Sequence, residues 1–129
     1  MTQIADVMGP DLIEVAPEDT LGEVAERMTA TNVSVVVVKD HGTLIGILTQ
    51  RDLLRAMAAR VHSSEARVRQ WMTIDPVTAT LDTDLEEASR LMAEHGFRHL
   101  PVLDGEGHVK GVVSLGCVAG AVQATAAPA

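Results

Sequence analysis

The stretch Gly46-Ile47-Leu48-Thr49-Gln50-Arg51-Asp52 decides how the chain is read. Its first half is a short apolar strand that stops at a polar cluster. A helix starts at once, since Leu53-Leu54-Arg55-Ala56-Met57 places apolar residues at helical spacing. Thr49 stands at the cap position and Asp52 in the first turn, where the partial positive charge of a helix start favours a carboxylate. Capping alone accounts for both residues. What lifts the stretch above capping is that most of its surroundings recur later in the chain.

The recurrence has a fixed offset. Val7-Met8 corresponds to Trp71-Met72, 64 positions on, and the same step carries Leu21 onto Leu85, Met28 onto Met92, Val38 onto Val102 and Asp40 onto Asp104. After one inserted residue, Gly46 falls on Gly111 and Thr49 on Ser114. Each copy has an opening segment (4–8, 68–72), an extended piece (12–15, 76–80) and a polar cap: Pro17-Glu18-Asp19-Thr20 or Leu81-Asp82-Thr83-Asp84. An amphipathic helix follows, with Leu21, Val24, Ala25 and Met28 in the first copy and Leu85, Ala88, Leu91 and Met92 in the second. Then come an apolar strand (33–38, 98–103), a turn, and a second strand (44–48, 109–113) that runs into the strand-to-helix junction. The spacing predicts β-α-β-β-α twice. A lone hairpin is not stable in water, so the two copies are expected to bury their sheets against each other. The domain boundaries read as repeat 1 over 1–60, a polar linker over 61–70 with a helical turn near 64–68, repeat 2 over 71–122 and a frayed tail over 123–129.

Composition narrows the function. Apolar residues make up 47% of the 129, enough for a packed core. The aromatics are Phe97 and Trp71 only, and the net charge is −8, so stacking platforms and a basic stripe for nucleic acid are both missing. The one cysteine, Cys117, fits a reducing compartment, and no apolar run is long enough to cross a membrane. A cytoplasmic protein without nucleic-acid or membrane partners is expected.

The motifs together resemble the tandem cystathionine-β-synthase-type (CBS) domain pair, in its stand-alone bacterial two-repeat form. They are the Val-Met and Trp-Met openings, the strand start His99-Leu100-Pro101-Val102 and the junction Gly46 to Asp52, in order and repeated. The resemblance implies an α/β (α+β) fold of two β-α-β-β-α repeats packed sheet to sheet as a pseudo-twofold module, with two crosswise clefts for adenosine-type ligands. Carried over residue by residue, it implies that Thr49 and Asp52 hold the ribose of an adenine nucleotide. Val77, Thr78, Arg98, His99 and Pro101 then flank its base and phosphates, Arg98 and His99 being the local cations. AMP is the first expectation, followed by ADP, ATP or another adenosyl compound, as a regulatory ligand and not as a required cofactor. In the other cleft Cys117 replaces the ribose-binding aspartate, beside Ser114, Glu14, Ser34 and Val35. That cleft is expected to be degenerate for nucleotides, having gained a carboxylate and lost two cations. The resemblance also implies a homodimer, and with it an unidentified regulated protein as a further partner.

Other chemistries find less in the sequence. His95 and His99 are four apart, but Gly96 ends the helix between them, and no Cys-x-x-Cys or His-Glu-x-x-His pattern marks a metal site. Neither a nucleophile elbow nor a phosphate-cradling glycine loop occurs, so an enzyme is not expected. The competing readings are a ligand-free interaction scaffold with decayed clefts and a metal-responsive module using His95 or His99.

Overall fold

A computed structural model describes residues 12–114, which fall into two compact units divided between Pro76 and Val77. The opening segment at 4–8, Gly116, Cys117 and the tail lie outside the described residues. The fold is mixed α/β, with one sheet and its helices in each unit.

The first unit runs β1 (Glu14–Val15), α1 (Leu21–Thr31), β2 (Val35–Asp40), β3 (Thr43–Thr49), α2 (Gln50–Ala58), α3 (Val68–Trp71) and β4 (Thr73–Ile74). Thr20 caps α1 by accepting the Glu23 N–H at 3.2 Å, and Leu21, Val24 and Met28 turn inward as their spacing requires. Asn32 ends the helix in the left-handed conformation. The sheet order is β1-β2-β3-β4; β1 pairs parallel with β2, and the other pairs are antiparallel. Val36, Val37 and Val38 are fully buried, which explains why β2 is a continuous apolar run without alternation. The β2–β3 turn is His41-Gly42, both at positive φ, a two-residue geometry that matches the twist of a hairpin.

The polar stretch 61–70, expected to join the repeats, packs on the start of α1. Ser63 and Ala66 carbonyls accept the otherwise unpaired N–H groups of Gly22 (2.8 Å) and Leu21 (3.0 Å), while Val68 is fully buried. The helical segment therefore sits at Val68–Trp71, later than the polar residues suggested, because Ala66 and Val68 fill the core. Immediately beyond it, β4 lies against Gly46, where a Cβ would come within 2.7 Å of the Thr73 carbonyl oxygen.

The second unit repeats the plan with β5 (Ala79–Thr80), α4 (Leu85–His95), β6 (His99–Leu103) and β7 (Val109–Ser114), in sheet order β5-β6-β7. Asp84 caps α4 by accepting the Glu87 N–H at 2.8 Å, and Gly96 closes it at φ 69°. Leu85, Ala88 and Met92 pack with Leu100, Val102 and Val113 as the core. The hairpins share an irregularity: pairing shifts between Val38 and Lys39 in one and between Val102 and Leu103 in the other. The one-residue insertion falls in the second hairpin's loop, where Asp104 Oδ1 accepts the N–H groups of Glu106 and His108, both at 2.9 Å.

Candidate functional site

Thr49 and Asp52 form a reciprocal cap at the start of α2. The Thr49 N–H and hydroxyl donate to Asp52 Oδ2 at 2.9 and 3.2 Å, and Thr49 Oγ1 accepts the Asp52 N–H at 3.3 Å. The Asp52 side chain is only 7% exposed, and Arg55 Nη1 donates to its Oδ1 at 3.1 Å. The Arg55 guanidinium in turn stands 5.9 Å from the centroid of the Trp71 ring. Arg51, beside Asp52, is exposed. The side chain at this cap that sequence reasoning passed over is Arg55. Its i,i+3 spacing from Asp52 signals the contact, but nothing local signals Trp71.

In the second unit, Val77 and Thr78 lie half-buried just before β5, Arg98 is exposed before β6, and His99 and Pro101 lie within β6. His99 was expected as a cation. Burial and the adjacent Arg98 charge lower its pKa from the usual 6.5, so it is neutral at neutral pH. Arg98 makes no ion pair with any described residue, and of these two it alone carries full positive charge. The register joins equivalent positions within each unit: Val35 faces Thr49, and His99 faces Ser114.

The residues expected to spoil the other cleft are only partly described. Glu14 is neutralised by Lys39, whose Nζ lies 2.9 Å from its carboxylate, and its carbonyl accepts from Arg27 Nη1 at 3.1 Å. The added carboxylate thus brings its own counter-cation, which sequence position did not reveal. Ser34 is exposed, Val35 and Ser114 are half-buried, and Cys117 is not among the described residues.

His95 closes α4 and stacks on Phe97, centroids 6.0 Å apart. Among the described residues, the group with metal-ligand spacing is instead Asp104, Glu106 and His108, all on the β6–β7 loop. The Lys110 ammonium lies 3.7 Å from Asp104 Oδ2, where a bound cation would meet repulsion. Separately, α1 and α2 border an open groove of about 370 Å³ lined by Leu21, Ala25, Leu53, Ala56, Met57 and Val61. Leu54 and Met57, read from spacing as part of an apolar helix face, are 65% and 73% exposed. No helix among the described residues is long and apolar enough to cross a membrane.

The CBS-domain family profile matches this chain twice, over residues 4–59 and 68–123. The CBS domain-containing protein YhcV of Bacillus subtilis is 34% identical over 119 residues, spanning 92% of this chain and 84% of YhcV. Among solved structures, a putative signal-transduction protein with CBS domains from Burkholderia ambifaria superposes with a TM-score of 0.87 at 28% identity, covering 99% of this chain and 98% of that one. CBSX2, solved in complex with AMP, matches with a TM-score of 0.75 at 28% identity, over 95% of this chain and 97% of its own.

Proposed function

Because this chain belongs to the CBS-domain family, we propose that it is a regulatory module that binds an adenine nucleotide, AMP foremost, through Thr49 and Asp52. Asp52 carries the reading: a carboxylate at a helix start, nearly buried, and oriented from both of its oxygens. Such a group accepts sugar hydroxyls without first being ordered. CBSX2, a structural neighbour of this chain, was solved with AMP, which supports the choice of ligand. In this reading Val77, Thr78, Arg98, His99 and Pro101 serve the same nucleotide, with Arg98 on its phosphate. The set with Glu14, Ser34, Val35, Ser114 and Cys117 binds none, because Cys117 is a poor acceptor for a diol. No reaction is proposed: the nucleotide is a signal, and its binding biases packing that a partner protein reads.

The test is thermal unfolding with AMP, ADP, ATP, S-adenosylmethionine, NAD or zinc. A ligand at a hundred times its dissociation constant stabilises by about 2.7 kcal/mol. Asp52→Ala removes a cap partner and costs about 1 kcal/mol by itself. The decisive quantity is therefore the ligand-induced shift, which is lost in the variant. A flat response to every nucleotide leaves a ligand-free scaffold as the function.

One observation favours self-association alongside binding. Leu54, Met57 and Val61 expose apolar surface beside the α1–α2 groove, and covering it with a second copy would give a homodimer.

A further inference from the structure

The Asp52 carboxylate is held at each of its two oxygens by an N–H donor. The Thr49 N–H reaches Oδ2 at 2.9 Å, and Arg55 Nη1 reaches Oδ1 at 3.1 Å. The reciprocal cap consists of that Thr49 bond and the bond from the Asp52 N–H to Thr49 Oγ1. The Thr49 hydroxyl, 3.2 Å from Oδ2, can therefore turn its hydrogen away while both cap bonds stand. A carboxylate offers about four acceptor positions. With the N–H donors of Thr49 and Arg55 in place, one position is left on each oxygen, and a vicinal diol brings two donors.

Thr49 alone would tether the carboxylate at Oδ2 and leave Oδ1 free to swing, because the last torsion of an aspartate is soft. Arg55 supplies the second tether. Its side chain is 62% exposed, and its guanidinium is itself steadied between Asp52 and the Trp71 ring, 5.9 Å from the centroid. The internal repeat offers a comparison. The step that carries Thr49 onto Ser114 also carries Asp52 onto Cys117 and Arg55 onto Gly120, while Trp71 corresponds to Val7. Where the carboxylate is replaced, its donor and the ring that steadies the donor are replaced with it. We infer that Arg55, braced by Trp71, is a positioning residue that sets the Asp52 carboxylate for the two hydroxyls of a ribose diol. This inference rests on the nucleotide reading of Asp52.

The experiment titrates the full chain, as wild type, Arg55→Met and Arg55→Lys, with AMP and with 2′-deoxy-AMP by calorimetry, while circular dichroism reports the fold. Methionine keeps the apolar reach and the helix propensity without a donor. Ordering a freed side chain on binding costs about two- to tenfold in affinity, so Arg55→Met should bind AMP that much more weakly. The 2′-deoxy compound brings one hydroxyl of the pair and needs only one oxygen. It should lose less, so the preference for ribose narrows. Losing the Arg55 charge weakens both anionic nucleotides alike, and the ratio of the two affinities separates positioning from charge. Arg55→Lys keeps the charge and a donor without the planar fork, and should fall between the other two proteins. Unchanged or tighter AMP binding by a folded Arg55→Met, or an equal loss for both nucleotides, overturns the inference while leaving the nucleotide reading intact. A wild type that binds both nucleotides equally does the same. If none of the proteins binds AMP, both fall. Should Arg55→Met not fold, Arg55→Lys decides: a narrowed preference for ribose supports the positioning role, and an unchanged one overturns it.

Discussion

His99 shows how burial changes what a residue offers a ligand. Its folded pKa lies below 6.5, so the unfolded chain binds more protons than the native one in the window between the two values. Stability is then full above 6.5 and falls as pH drops through that window toward the folded value. Denaturant midpoints of the ligand-free protein should fall as the pH drops below 6.5, and His99→Gln should lack this loss. A nucleotide phosphate near His99 would favour the imidazolium, so AMP binding should tighten on acidification over the same range. Arg98 stays charged throughout and needs no such coupling. Arg98→Ala is therefore expected to weaken AMP binding by about tenfold, as for one charge-assisted hydrogen bond, while leaving the midpoint unchanged, as calorimetry and unfolding will show.

At the level of elements, the sequence was most legible where packing repeats itself. The offset of 64 identifies α1 with α4 and β2 with β6 because both copies bury the same positions: Leu21 and Leu85, Met28 and Met92, Val38 and Val102. The strands β1, β4 and β5 have two residues each, too few for any periodicity to register. The pairing of β4 with β3 was hidden for another reason. It joins Gly46 and Ile47 to Ile74 and Thr73 across the whole of α2 and α3, and no local pattern reports a contact that distant. Gly46 stands out in the sequence as a repeat position, but its physical reason is the close approach of Thr73. Gly46→Ala must push β4 away and is expected to cost about 1–3 kcal/mol, which urea unfolding would measure. Gly42→Ala places a Cβ in open space but at φ 80°, so its cost comes from backbone strain alone and should be about 1 kcal/mol.

For the molecule as a whole, the sequence carried family, fold class and the Asp52 cap, and stopped at surfaces. Leu54 and Met57 satisfy helical spacing, yet spacing cannot tell whether an apolar face meets its own core or another chain. The contact of Arg55 with Trp71 was equally out of reach, since it depends on where α3 comes to rest. If the exposed face is a dimer contact, the double substitution Leu54→Glu, Met57→Glu should halve the mass seen by sedimentation while circular dichroism stays unchanged. An unaltered mass would place association elsewhere or nowhere.

The pairing of β4 on Gly46 and Ile47 has a bearing on how such a chain can be divided. A truncation at residue 60 follows the apparent repeat boundary, yet it strips β3 of its outer neighbour and removes Val68 from the core. The fragment would carry a bare, apolar sheet edge, the template on which strands from other copies add, and should precipitate on expression. A truncation after Pro76 retains that cover and should precipitate less than the shorter fragment. Gene duplications and fusions meet the same constraint: a workable splice point in this chain lies past the strand, several residues beyond where the two halves look alike.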